Sequence, residues 1–239
     1  MKRHYPLSIF HYTLLLFIVF SLTGCRAHMD IQGSTTIPQL EDRMLYLRVY
    51  KDGDLAVIDS TRIIHGKFQF TGEAQDSTIM ANLFLGDESI MPVVIEDCPL
   101  TITVNENERR VTGSALNDTL FAFIKRKTAL DAQMADLPHR ESRMILEGRD
   151  HDEIIAELNQ EAAALQAQDE RLVMGFIKAN MDNVLGPGVF MIVTSNLPYP
   201  MLDPSLEELI TLASPHFLAD PYVREFVKKA RENMERQEE

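Results

Sequence analysis

The sequence predicts an α+β chain: an N-terminal antiparallel β-sandwich, residues 25–114, followed by a C-terminal all-helical region, residues 115–239. Three observations carry this reading. Between Ile31 and Thr112 apolar residues alternate with polar ones in short runs, the period-two pattern of half-buried strands. Turn signals such as Asp52-Gly53, His65-Gly66 and Gly86-Asp87 punctuate those runs every several residues. After Gly113-Ser114 the apolar spacing changes to the 3.6 period of helices. Seven or so short strands with one apolar face each point to two packed sheets.

Residues 1–24 belong to neither half. Lys2 and Arg3 precede an unbroken apolar run, Leu14 to Phe20, and the small residues of Leu22-Thr23-Gly24-Cys25 close it. A basic start, an apolar core and a small-residue cut site are the parts of an export signal. A cysteine directly after Leu-Thr-Gly resembles the lipobox of bacterial lipoproteins. That resemblance implies cleavage before Cys25, acylation of Cys25, and attachment to a membrane through it. A transmembrane anchor and a plain secretory signal are the alternatives. The run is short for a span, which needs about 20 apolar residues, and His11 keeps it from extending further back. The expected address is the cell envelope. Arg26 follows the cysteine and the first acid is Asp30, which favours a periplasm-facing protein.

Removing residues 1–24 leaves 239 − 24 = 215 residues, and the loss of Lys2 and Arg3 takes the net charge from −13 to −15. So acidic a chain lacks the basic surface that nucleic acid requires. Nor does it gain electrostatic help from anionic lipid, so acyl chains must hold it, at about 0.8 kcal/mol per buried methylene. With Cys25 committed to lipid, Cys98 is the lone thiol, and no disulfide is expected.

Along the chain, Leu45, Leu47 and Val49 alternate with Tyr46, Arg48 and Tyr50, and Lys51-Asp52-Gly53-Asp54 turns back into a strand over 55–59. Strands are expected at 67–70, at 79–85 and 90–95 around the Gly86-Asp87-Glu88 turn, at 100–104 and at 109–112. Ser114 or Asn117 caps a first helix, which Leu137-Pro138-His139 is expected to break. A second helix runs from about Asp150–Asp152 to Met181. Its Leu158, Leu165 and Leu172, seven apart, suit an antiparallel hairpin against Leu120 to Leu137 or, less directly, a partner helix. Gly186-Pro187-Gly188 should end that region, and 189–194 reads as a short buried helix. Asp203-Pro204 and Asp220-Pro221 each set a cap before a proline at the first helical position.

With both halves in view, Ile58-Asp59-Ser60, Gly66-Lys67-Phe68, Phe70, Gly72, Val94-Ile95-Glu96, and Val111-Thr112-Gly113-Ser114 with Asn117 give the chain a resemblance. It is similar to the envelope lipoprotein module named domain of unknown function 4369, over most of residues 30–125. The family's β-domain and helical segment usually precede a thioredoxin-like domain with a Cys-x-x-Cys pair. The sequence reaches Glu239 without that pair, so the redox role the resemblance implies is not expected of this chain itself.

Cys98 sits beside Glu96 and Asp97, which raise a thiol pKa, so it is expected to fill a turn. His28, His65, His139, His151 and His216 form no His-x-His or His-x-x-x-His pair, and no metal is expected. Ser60, Ser77 and Ser195 lack a nucleophile elbow. Asp150, Asp152, Glu153 and Glu157 read as a solvated helix start. Asp59-Ser60-Thr61, Asp76-Ser77-Thr78 and Asp118-Thr119-Leu120 resemble an O-glycosylation acceptor, at most one of them used. No catalytic residue and no cofactor is expected. The functional expectation is a membrane-anchored, non-catalytic binding module for a protein, peptide or glycan. Its partner would meet hairpin-tip carboxylates: Asp52, Asp54, Asp87 and Glu88. An accessory to a thiol-redox system acting in trans is the alternative.

Overall fold

The structure is a computed structural model and describes residues 29–51, 53–72, 78–195 and 197–238. Eight strands form in chain order: β1 (Ile31–Thr35), β2 (Met44–Lys51), β3 (Asp54–Arg62), β4 (Lys67–Phe70), β5 (Ile79–Leu85), β6 (Glu88–Ile95), β7 (Leu100–Val104) and β8 (Arg109–Thr112). They make two four-stranded sheets, ordered β4-β1-β7-β8 and β3-β2-β5-β6. All neighbours are antiparallel except β1 and β7, which run parallel with Ile31 opposite Leu100. Five strands lie between those two in the chain, which supplies the long crossover a parallel pair requires.

Period-two alternation decides what each sheet buries. Leu45, Leu47, Val49, Ala81, Leu83, Met91 and Val93 point from the second sheet towards Ile31, Phe68, Phe70, Leu100, Ile102 and Val111 of the first. The residues between them, among them Tyr50, Met80, Phe84 and Val94, line the opposite face of the second sheet. That face is half covered by helices, so the molecule has three layers.

Six helices follow: α1 (Ala115–Leu146), α2 (His151–Ala179), α3 (Leu185–Thr194), α4 (Pro204–Thr211), α5 (Pro215–Ala219) and α6 (Pro221–Glu238). All but α3 start on a side-chain cap, as side-chain chemistry dictates. Ser114 Oγ accepts from the Asn117 amide, Asp150 from Asp152 and Glu153, Asp203 from Leu206, and Asp220 from Tyr222 and Val223. Ser214 does the same for the short α5, which the sequence pattern did not single out.

Two expected breaks do not occur. α1 continues through Pro138. The proline forfeits one backbone hydrogen bond there, but Leu137 is buried against α2 and Arg140 pairs with Glu161 at 2.5 Å, so contacts on both sides hold the helix. Gly186-Pro187-Gly188 forms the first turn of α3 rather than a stop. Pro187 is the third helical residue, where a backbone N–H has no intrahelical acceptor to lose.

The helices bury two further clusters. One gathers Leu120, Phe123, Ile177, Val189, Phe190, Phe217 and Phe226 around Val94 of β6, so a single core spans residues on both sides of position 114. The other, Leu130, Leu137, Ile154, Leu158 and Leu165, lies wholly between α1 and α2. The heptad-spaced leucines thus serve the intramolecular hairpin. Asp169, which falls on the same stripe, meets Lys127 at 3.2 Å. Among the described residues no helix is long and apolar enough to cross a membrane.

Candidate functional site

Because Leu45, Leu47 and Val49 face the sandwich core, Tyr50 must project towards the helices. Its hydroxyl donates to Glu225 of α6 at 2.5 Å, and its ring meets Tyr222 edge-on, centroids 4.9 Å apart. Glu225 also pairs with Lys229 at 2.6 Å, one helical turn on. Thr194 Oγ1 donates to the Phe190 carbonyl at 2.7 Å, so the 3.0 Å contact between Thr194 and Tyr222 is a bond that the phenol donates. Burial first, then the Glu225 carboxylate, pushes the Tyr50 phenol far above its ordinary range. Burial likewise raises Tyr222. Lys229 foremost, and Tyr50 after it, hold Glu225 below the usual carboxylate range. The cluster therefore presents two neutral phenols and one ionised carboxylate.

A cleft opens on each side of this tyrosine pair. One, of about 460 Å³, lies among Lys51, Ile79, Met80, Pro187, His216 and Asp220. The other, of about 470 Å³, lies among Asp54, Leu55, Asn82, Phe84, Ser89 and Ser195. Both are walled by Tyr50, Met191 and Tyr222. They form one groove between the second sheet and α3 and α6, pinched in the middle. In the first cleft Gly188 packs against Met80: a Cβ there would fall 1.9 Å from the Met80 sulfur, so a larger residue would force that side chain to move. Rings, an amide, hydroxyls and a carboxylate on a preformed concave surface suit stacking and hydrogen bonding.

The residues singled out from sequence are dispersed. Asp54 lines the second cleft and accepts from the Leu55 amide at 2.7 Å. Asp87 pairs with Arg48 at 3.1 Å, whose guanidinium lies 4.5 Å from the Phe84 ring centroid and donates to the Gly86 carbonyl. Glu88 is exposed at the start of β6. The two hairpin tips sit at opposite ends of the sheet, since antiparallel β2 and β5 place Leu45 opposite Leu85 and Arg48 opposite Asn82. Cys25, His28, Asp52, Asp76 and Ser77 lie outside the described residues.

Cys98 is half-buried, its sulfur 3.7 Å from the Gly113 carbonyl, and burial followed by Glu96 and Asp97 pushes its thiol up. His65, His139, His151 and His216 are exposed on separate elements, and among the described residues no three potential ligands cluster for a metal. The Asp59 carboxylate accepts from the Thr71 and Gly72 amides, which gives that acid of an acceptor tripeptide a structural task. Asp118 pairs with Arg110, and Thr119 donates to Ala115. Glu157 pairs with Arg149 at 2.7 Å. Ser195 donates to the Ile192 carbonyl.

Sequence reasoning missed Tyr50, Tyr222 and Glu225. The outward row Tyr46, Arg48, Tyr50 was the available signal, since two aromatics on the supposedly wet face of a strand imply a covering layer. Residues 29–120 match the family model described as domain of unknown function (DUF4369). No curated protein and no solved structure matches the chain. The matched segment ends within α1, so the groove combines strands from the matched module with helices beyond it.

Proposed function

We propose that this chain, carrying a DUF4369 module at residues 29–120, is a lipid-anchored envelope protein that binds a protein, peptide or glycan without transforming it. Cys25 is the tether, and the groove astride Tyr50 and Tyr222 is the binding surface. The observation that carries the reading is that groove: two adjoining clefts of about 460 and 470 Å³, with aromatic walls and polar groups that are hydrogen-bonded. Asp54 keeps its place in this reading, as a carboxylate at the open end of one cleft. The redox accessory in trans gains little from Cys98, whose neighbours disfavour the thiolate.

Two experiments test the two halves of the proposal. Immobilised wild-type protein is offered envelope-derived peptide and glycan libraries beside Ser195→Trp, which fills the second cleft from an exposed helix end. Retention of one ligand class, weakened at least tenfold by Ser195→Trp at unchanged melting temperature, is expected. Equal retention by both proteins, or none by either, overturns the groove assignment. For the tether, Cys25→Ser should abolish lipid labelling. Wild-type protein in the aqueous phase of a detergent partition would contradict it.

A further inference from the structure

We propose that the root of the α1–α2 hairpin carries a second binding site, separate from the sheet–helix groove, that clamps an acidic peptide segment of a partner protein. Here a groove of about 410 Å³ runs between the two helices. Arg126 and Gln133 form one wall, Arg171 and Gln168 the other, and Leu130 and Leu172 the floor. The antiparallel pairing that joins Lys127 to Asp169 sets Arg126 and Arg171 across from each other.

Charge decides the kind of occupant. The chain has 36 acids against 23 lysines and arginines. Three cations of the hairpin are consumed internally: Lys127 by Asp131 and Asp169, Arg140 by Glu161, Arg149 by Glu157. Arg126 and Arg171, the two cations that line the groove, are not. Both are exposed, and neither meets a carboxylate among the described residues. Stepping along this face at helical spacing, positions 122, 126, 129 and 133 of α1 and 164, 168, 171 and 175 of α2 hold no acid at all.

Two unspent guanidinium groups on facing walls present forked donors to one carboxylate, a geometry in which arginine outperforms lysine. The Gln133 and Gln168 side chains, further towards the hairpin tip, each offer a donor and an acceptor suited to a peptide backbone. The leucine floor takes an apolar side chain next to the bound acid. The favoured occupant is thus a segment in which an Asp or Glu adjoins a large apolar residue. This site stands even if the sheet–helix groove binds nothing.

The probe is a fluorescein-labelled peptide of alternating glutamate and leucine, followed by anisotropy against the whole mature chain. A glutamine–leucine peptide and inorganic phosphate serve as comparators. Saturable binding of the glutamate peptide is expected, falling as salt rises and weakened at least tenfold by Arg126→Glu or Arg171→Glu. The neutral changes Arg126→Gln and Arg171→Gln, at exposed positions with unchanged circular dichroism, should weaken it by a smaller factor. Ser195→Trp should leave it unaltered. Equal affinity for the glutamine peptide, full competition by millimolar phosphate, indifference to charge reversal, or loss with Ser195→Trp would each overturn the proposal.

Discussion

The helical layer on the sheet and the free part of the hairpin are read from the same 3.6-residue periodicity, yet they are supported unequally. In the layer, Phe190 is fully buried with Phe217, Tyr222 and Phe226 around it at centroid distances of 5.2 to 6.3 Å, and Val94 of the sheet joins the same core. In the hairpin from Leu130 and Leu165 onward, each helix has only the other to lean on, and five buried side chains make up its core. Its ion pairs, Arg140 with Glu161 and Arg149 with Glu157, lie at the surface, where water and salt screen them, so they add little to its hold. Periodicity tells which face of a helix is apolar. It does not tell how many neighbours will cover that face, and those neighbours determine stability.

The largest expected effect lies in the layer. Phe190→Ala empties a fully buried site ringed by aromatics and should cost about 3–5 kcal/mol in chemical denaturation. Next is Asn117, fully buried, whose side-chain amide donates to the Val94 carbonyl at 2.8 Å and accepts from the Val94 amide at 3.0 Å. It closes the exposed edge of β6 like one residue of a ninth strand. Asn117→Ala leaves two buried backbone groups unpaired, at about 1–3 kcal/mol each, and should lower the melting of strands and layer together.

Leu165→Asp sharpens the contrast. A buried unpaired charge is severe in itself, but the observed loss is bounded by the free energy of opening the hairpin alone. Helical signal should fall while denaturation of the remainder shifts little. Concerted unfolding of the whole chain would show that the hairpin is no separate unit.

The smallest effect is at the seam between β2 and α6. Glu225 is held below its unfolded value near 4.3, so its contribution is present above that value and is lost as pH falls through the lower folded one. Glu225→Gln should flatten the acid limb of the stability profile without moving the neutral plateau much. An unchanged acid limb would mean that neither the Lys229 pair nor the bond from Tyr50 contributes to folding through Glu225.

Much of this architecture is legible in the residues. The bounds of β4, β5, β7 and β8 follow from alternation and turn signals: β4, β7 and β8 bury one face and leave the other more open, and β5, covered on both faces, is bounded by its turns. Asp150, Asp203 and Asp220 announce helix starts because an aspartate oxygen can satisfy the first free amides. Several residues that carry the family resemblance have structural tasks: Asp59 ties down Gly72, and Asn117 ties down Val94. Gly113 allows Pro99 so near that a Cβ would stand 2.4 Å from its carbonyl oxygen. What the sequence could not show depends on distant segments meeting. Pro138 reads as a stop until Leu137 and Arg140 find α2, and Gly186-Pro187-Gly188 reads as a stop until Gly188 is set against Met80. The groove was hidden for the same reason, since Tyr50 and Glu225 are 175 residues apart.

Native-state amide exchange read by mass spectrometry tests the central claim most directly: the sheet and helical layer are one cooperative core, and the distal hairpin is a weaker unit projecting from it. Peptides from 79–85, 117–124 and 185–194 should exchange together, through global unfolding, while 137–158 exchanges at least a hundredfold faster. Equal protection across 137–158 and 185–194, or strands that exchange well before the layer, would contradict it.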